Sequence, residues 1–161
     1  MSSRYTPEQI LAEERELVLP SFNENDAIAL GLAILDRARR EKLVVAIEVH
    51  RAGRLIFKAA LPGTRKHNDK MLAGKRRVVE RYGHSSLHEK LRHEAVGTSF
   101  EEVMGLGLPR FVAQGGGFPL FVSGADPVGG PVGIAIVSGL PHEDDHALVV
   151  ASARDYLAAR R

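Results

Sequence analysis

A lysine on the apolar face of a predicted helix is the residue of this chain best placed to do chemistry. At about 100° of rotation per residue, apolar side chains share one side of this helix: Met71, Leu72, Val78, Val79 and Tyr82. Lys75 falls near the middle of that stripe, whereas Arg76 and Arg77 point elsewhere. A buried ammonium group needs a carboxylate, a ligand or a route to solvent, because burying it alone is very costly. Lys75 therefore either reaches the surface or an internal ion pair, or it lines an anion-binding cavity.

Two further segments contain residue types that could act together with this lysine. The last predicted helix carries acids at positions 143–145 in its first turn, and Asp144 or Asp145 could supply the carboxylate. The run Gly115–Gly117 leads into a predicted strand, and glycine lets a backbone come close to a ligand or adopt a positive φ. It is not a P-loop, because no Gly-Lys-Ser/Thr follows, and it lacks the strand-glycine-helix order of a dinucleotide site. A flexible start to the strand is the alternative interpretation.

The seven histidines raise the question of a metal site. His84 and His88 are four residues apart, as are His142 and His146, a spacing that can place two imidazoles on one helix face. The interval from His88 to His93 is one residue too long for the HExxH zinc motif. The chain has no cysteine, so we expect surface or capping histidines and no metal. The serines lack a GxSxG nucleophile elbow, which argues against a serine hydrolase.

Helices and two pairs of strands must position these residues. Periodicity and capping signals predict helices over 7–18, from an asparagine cap to 40, over 68–95 with an interruption at Gly83, over 100–104 and over 141–159. Strands are predicted over 43–50, 54–60, 118–123 and 132–137. The two strand pairs can join into one antiparallel sheet with flanking helices. The predicted fold class is therefore α+β, as a single domain spanning residues 1–161.

Composition restricts the class of function. The charged fraction of 26% and the apolar fraction of 44% are those of an ordinary globular protein. The net charge is only +2 and the basic residues alternate with acids, so no cationic stripe for nucleic acid is present. No window approaches the roughly 20 apolar residues of a membrane span. Acids interrupt the N-terminal region where a signal peptide needs an apolar run, so we expect a cytoplasmic protein.

Several segments together carry a resemblance to a known family. They are Asn68-Asp69, Lys75 to Val79, Tyr82 to Ser86, Gly115 to Pro119, and Ser138-Gly139 followed by Asp145. In this combination the chain resembles the haem-degrading-domain family typified by the GlcG and HbpS proteins, within an uncharacterised branch of small cytoplasmic proteins. The similarity extends over nearly the whole chain.

The resemblance implies a fold, an assembly and a ligand. The fold is a profilin-like α/β/α sandwich with an antiparallel sheet. Lys75 matches a family lysine on the helix after the first hairpin, and Asp145 matches an acid at the start of the last helix. Family members form homo-oligomers, and edge strands that need covering give the same expectation for this chain. The ligand implied is haem or a similar tetrapyrrole.

The leading hypothesis is a homo-oligomeric small-molecule-binding domain for a carboxylate-bearing ligand such as haem, with its cavity near or across a subunit interface. In this hypothesis Lys75 pairs with the ligand's anionic group, and His84 is a ligand to it or a proton donor. The predicted ligand-binding residues are Lys75, Arg76, His84, Ser85, Gly115, Gly116, Gly117, Ser138 and Asp145. Two alternatives remain open. One is an enzyme that degrades haem oxidatively or converts another small molecule, assisted by His84 and Asp145. The other is a non-catalytic structural or partner-binding protein whose lysine closes a salt bridge.

Overall fold

A four-stranded antiparallel sheet organises the molecule. The computed structural model describes residues 3–105, 110–124 and 129–160. The strands are β1 (Ala46–Arg51), β2 (Arg54–Ala60), β3 (Gly117–Leu120) and β4 (Gly133–Ser138), in the order β2-β1-β4-β3. The helices are α1 (Pro7–Glu16), α2 (Glu24–Arg40), α3 (Lys66–Tyr82), α4 (Ser86–Glu94), α5 (Phe100–Met104) and α6 (His142–Ala159).

The two predicted strand pairs join through their inner strands. Along β1 and β4, Ala46 is opposite Ser138 and Arg51 is opposite Gly133. This register brings the end of β4, which leads to α6, beside the start of β1. The predicted α+β architecture with one antiparallel sheet is confirmed.

Helices cover both faces of the sheet because both faces are apolar. Ile47 and Val49 of β1 belong to the larger core, which α2 and α6 cover. The residues that alternate with these along the strands, such as Ala46, pack with Leu72 and Val79 of α3 in a smaller core. Successive strand residues point to opposite faces, so the sheet lies between α2 and α6 on one side and α3 on the other. This is the α/β/α arrangement that the resemblance implied.

Local chemistry explains several helix boundaries. Thr6 accepts a hydrogen bond from the backbone of Gln9 and begins α1, and Asn23 does the same with Asp26 for α2. Gly83 ends α3 with a φ of 73°, the left-handed conformation that favours glycine. The predicted interruption at Gly83 is confirmed.

Two predicted strands are shorter than expected. β1 begins at Ala46 and not at 43, because the N–H of Leu43 still bonds the carbonyl of Ala38 as the chain leaves α2. β3 ends at Leu120, and beyond it Leu19 donates to the carbonyl of Phe121 while Ser123 donates to the carbonyl of Leu19. The connection from β3 to β4 includes positions 125–128, which lie outside the described residues. Within the described ranges, no helix has the length and apolar character needed to cross a membrane.

Candidate functional site

Lys75 is buried and bonded to an acid, which is one of the alternatives that the sequence left open. Its side chain lies on the sheet-facing side of α3 and the residue is 1% exposed. Nζ donates to the carbonyl of Val137 at 2.9 Å and to Oδ2 of Asp145 at 3.1 Å. A lysine ammonium has three donors, and the third has no acceptor among the residues that the structure describes.

Asp145 holds the other half of the ion pair from the first turn of α6. Oδ1 accepts the backbone N–H of Leu140 at 2.9 Å, so both oxygens are bonded. Burial raises the pKa of Asp145, against the opposing charge of Lys75. Burial also lowers the pKa of Lys75, and the nearby carboxylate offsets part of that shift. Each charge therefore depends on the other for its stability in the interior.

The glycine run lets the backbone approach this pair. Gly116 has a φ of 130°, and a Cβ there would lie 2.3 Å from the carbonyl oxygen of Val137 and 2.8 Å from Nζ of Lys75. Neither distance leaves room for a side chain. The N–H of Gly117 donates to Oγ of Ser86 at 2.9 Å, which fixes the run against α4. The sequence suggested that the backbone of these glycines could come close to a ligand; in the structure the backbone of Gly116 comes close to Lys75.

A cavity of about 400 Å³ opens beside the ion pair. Its lining includes side chains that can donate hydrogen bonds: Asn68, Lys75, Gln114, Ser138 and His142. The N–H of Gly115 donates to Nδ1 of His142 at 3.1 Å. Nδ1 is therefore the acceptor of the neutral ring, and the proton lies on Nε2. Burial, followed by the charge of Lys90, lowers the pKa of His142, which favours this neutral donor form.

The remaining predicted residues lie elsewhere. Arg76 pairs with Glu80 at 3.0 Å and lines a different cavity, beside His50. His84 and Ser85 both bond Glu14 of α1 and do not line the Lys75 cavity. The structure therefore brings together Lys75, the glycines, Ser138 and Asp145, and separates them from Arg76, His84 and Ser85.

Glu14 is a buried acid that the sequence analysis missed. It is 5% exposed. Its carboxylate accepts bonds from Nδ1 of His84, the N–H of Ser85 and Oγ of Ser85, each at 2.9 Å. Ser85 occupies the N-cap position of α4, but its hydroxyl donates to Glu14 and makes no capping hydrogen bond with the backbone of the helix. The hydrogen bond to Glu14 raises the pKa of His84.

The histidine pairs do not meet in a metal site. His146 bonds Oε1 of Glu13 at 2.7 Å, whereas His142 faces the glycine run. In the described part of the chain, no three histidine, aspartate or glutamate side chains are close enough together to hold a metal ion.

Comparison with known proteins agrees with this architecture. A family model described as "Haem degrading protein HbpS-like" matches residues 22–154. A UPF0303 protein of Streptomyces avermitilis is 45% identical over 149 residues, covering 92% of this chain and 89% of the relative. The crystal structure of the Ybr137w protein has a TM-score of 0.86 at 23% identity, covering 96% of this chain and 90% of that chain. A PduOC:heme complex has a TM-score of 0.66 at 20% identity, covering 86% and 95%. At these identities the two structures show a shared fold alone. The family match and the relative show that this chain belongs to the HbpS-like haem-degrading protein family.

Proposed function

We propose that the chain is a small-molecule-binding domain that takes a carboxylate group of its ligand into the cavity beside Lys75. The observation that supports this most is the balance of donors and acceptors in the lining. Among the residues that the structure describes, Asp145 is the single acid that lines the cavity, and both of its oxygens are bonded. Within the described lining, the third donor of Lys75 and the Nε2 proton of His142 remain, with the amide of Gln114. One amide hydrogen of Asn68 also remains, since the other is donated to Oγ of Ser138 at 3.5 Å. A carboxylate is the group that such a set of donors binds best.

The family supports a ligand-binding role and suggests haem as one ligand. The family description names haem degradation, and one structural neighbour is described as a haem complex. Haem carries carboxylates that could use the Lys75 cavity, although His142 cannot bind the iron while its Nε2 carries the proton. We also propose a cytoplasmic setting, following the sequence expectation.

Two rival functions make different demands on the same residues. An enzyme using His84 and Asp145 together is disfavoured, because the two side chains line different cavities and have different partners. The structural hypothesis requires a Lys75–carboxylate pair, which is present. The cavity and its remaining donors are what favour ligand binding over a purely structural pair.

A thermal-shift screen tests the proposal directly. The probes are small carboxylates, each compared with its primary amide as a neutral control. A ligand at about 100 times its Kd stabilises the folded state by about 2.7 kcal/mol, which raises the Tm by roughly 5 to 10 °C in a domain of this size. We expect the carboxylates to produce this rise and the amides to produce none.

Variants then locate the site. His142→Ala should abolish the rise, because it removes a donor without breaking the ion pair. Lys75→Met should do the same, while Lys70→Met, an exposed lysine on the same helix, should leave it unchanged. Equal stabilisation by acids and amides, or a full response in His142→Ala, would contradict the proposal.

A further inference from the structure

Lys75 has three properties of a reactive amine: it is buried, it is bonded to an acid, and a cavity for a small molecule lies beside it. An exposed lysine is protonated at neutral pH and has no lone pair with which to attack a carbonyl carbon. Burial changes this, because desolvation lowers the pKa of Lys75 and raises the pKa of Asp145. Both shifts favour transfer of a proton from Nζ to Oδ2 of Asp145, across a hydrogen bond of 3.1 Å.

The surroundings of Nζ leave one side of this nitrogen free to react. Its bonds to the carbonyl of Val137, at 2.9 Å, and to Asp145 hold the end of the side chain in place. The third position on the nitrogen has no acceptor among the residues that the structure describes, and Lys75 lines the cavity of about 400 Å³. Once a proton has moved to Asp145, rotation about the Cε–Nζ bond can direct the lone pair to this third position. Proteins form Schiff bases with carbonyl compounds at desolvated lysines of this kind.

The other donors of the cavity indicate which carbonyl compounds fit. The amide of Gln114 and the Nε2 proton of His142 can hold a carboxylate there. In a 2-oxo acid the carbonyl carbon is bonded directly to the carboxyl carbon. A carboxylate that these donors hold beside Lys75 therefore keeps the carbonyl carbon close to Nζ. A simple ketone has no carboxylate with which to use the same donors.

We propose that Lys75 forms a Schiff base with a 2-oxo acid bound in this cavity, and that Asp145 transfers the protons of the reaction. The inference rests on the carboxylate binding proposed above and adds a reacting carbonyl group to it. Lys75 is the nucleophile, Asp145 is the general acid and base, and His142 and Gln114 hold the carboxylate.

Asp145 supplies and recovers every proton that moves. It first takes a proton from the Nζ ammonium, and the neutral amine attacks the carbonyl carbon to form the C–N bond. The carbonyl oxygen takes that proton from Asp145, and the nitrogen of the resulting carbinolamine gives a second proton to Asp145. The C–O bond then breaks, the hydroxyl group leaves as water with the second proton, and the nitrogen lone pair forms the C=N bond. The product is a cationic iminium beside the Asp145 carboxylate, so the buried pair keeps both charges.

Reductive trapping on the untagged full-length chain tests the Schiff base. The probe is pyruvate with sodium cyanoborohydride, which reduces an iminium and leaves a ketone intact at neutral pH. We expect an adduct that saturates at one per chain and that peptide mapping by mass spectrometry places on Lys75. Lys70, an exposed lysine on the same helix, is the internal control and should remain unmodified at the same pyruvate concentration.

Two analogues of pyruvate separate the carbonyl from the carboxylate. Lactate has a hydroxyl group in place of the carbonyl oxygen, so it should raise the Tm and leave no adduct. Pyruvamide lacks the carboxylate, and at limiting concentration it should be trapped about 10-fold less, because it loses hydrogen bonds to a charged group.

Three variants assign the roles, each checked for folding by circular dichroism. Lys75→Arg keeps a positive charge beside Asp145 and removes the primary amine, so no adduct should form at this position. Asp145→Asn should lower the rate of trapping at saturating pyruvate by about 100-fold or more, the usual contribution of a general acid and base. His142→Ala should raise the pyruvate concentration needed for half-maximal trapping and leave the saturated rate nearly unchanged. A merely structural role for these residues does not produce this division between rate and concentration.

The results distinguish failure of this inference from failure of carboxylate binding. A rise in Tm with pyruvate and lactate but no adduct on Lys75 would overturn the Schiff base and leave carboxylate binding intact. Equal modification of Lys75 and Lys70, or equal trapping of pyruvate and pyruvamide, would also overturn the inference. If lactate and pyruvate leave the Tm unchanged and no adduct forms, both proposals are wrong.

Discussion

Lys75 and Asp145 show how two residues, each costly to bury alone, become compatible with a protein interior. Each is about 2% exposed in its side chain, and their charged atoms are 3.1 Å apart. The desolvation cost of such a pair is large, and the attraction between the partners offsets it only while both are present. Removing one partner leaves the other buried and uncompensated.

We predict that Lys75→Met destabilises the fold by about 3 kcal/mol or more, because it leaves the carboxylate of Asp145 buried without a positively charged partner. Methionine retains most of the buried volume, so the loss reports charge and not packing. The double variant Lys75→Met with Asp145→Asn should recover part of the loss. Urea denaturation of the three proteins measures these differences in the free energy of unfolding.

Lys70→Met is the matched control, since Lys70 is an exposed lysine on the same helix, and it should change stability by less than about 0.5 kcal/mol. If Lys75→Met is as stable as this control, the ion pair contributes nothing to the fold.

The difference between Lys75 and Glu14 explains how much of the site could be predicted. Lys75 interrupts a long apolar stripe on a 17-residue helix, so periodicity alone places it inside. Glu14 carries the same signal, because Ile10, Glu14 and Leu17, the residue that follows α1, lie on one side and are all buried. In the sequence, however, it lies in an acidic run on a short helix and looks solvent-exposed. Its partner His84 is 70 residues away in the sequence, so no pattern of neighbouring residues predicts that the two side chains meet.

Among the elements, α4 depends on a buried charge near its start. Glu89 is 1% exposed, and it bonds His88 and Arg92, each at 2.9 Å. Burial acts to raise the pKa of Glu89, but the bonds to His88 and Arg92 outweigh it and the pKa lies below its usual value. A carboxylate whose folded pKa is lowered stabilises the fold above its unfolded pKa of about 4.3, and the contribution is lost as the pH falls through the folded pKa.

We therefore predict that Glu89→Gln lowers the free energy of unfolding at pH 7 and that this deficit shrinks as the pH falls from about 5 towards about 3. Urea denaturation of both proteins at several pH values measures the deficit. Glu94→Gln on the same helix, where the acid is exposed and paired with Lys90, serves as the control and should follow the unmodified chain. A deficit that stays constant with pH would show that Glu89 acts through packing alone.

The elements were more predictable than their ends. The interruption at Gly83 and the bounds of β2 depend on neighbouring residues, and both were predicted correctly. The end of β3 was not, because the backbone of Leu19, about a hundred residues earlier, pairs with the residues that follow this strand. Tertiary contacts of this kind leave no local pattern.

For the whole molecule, the main unexplained surface is apolar. Ile28 and Leu32 of α2 are 41% and 51% exposed, and Leu55 of β2 is 46% exposed. β2 is also an outer strand of the sheet. An apolar surface beside an unpaired strand edge is typical of a region that another chain covers.

We predict that the protein is a homo-oligomer in solution that uses this surface. Light scattering at micromolar concentration should give a mass that is a multiple of 17.5 kDa, and Leu32→Glu should reduce it by placing a charge in the contact. Val96→Glu introduces the same charge at a residue that is 77% exposed on another part of the molecule, and it should not alter the mass. A monomer mass for the unmodified chain would refute the prediction.

The pairing of Leu19 with the chain beyond β3 also limits how copies of this protein can polymerise. The N–H of Leu19 donates to the carbonyl of Phe121, and the carbonyl of Leu19 accepts the N–H of Ser123. These two backbone groups beyond β3 are therefore not available to a strand from another chain. If two copies paired β2 with β2 about a twofold axis, the outer backbone groups of both β2 strands would be hydrogen-bonded to each other. Growth by strand addition through the β2 edge then ends at two chains.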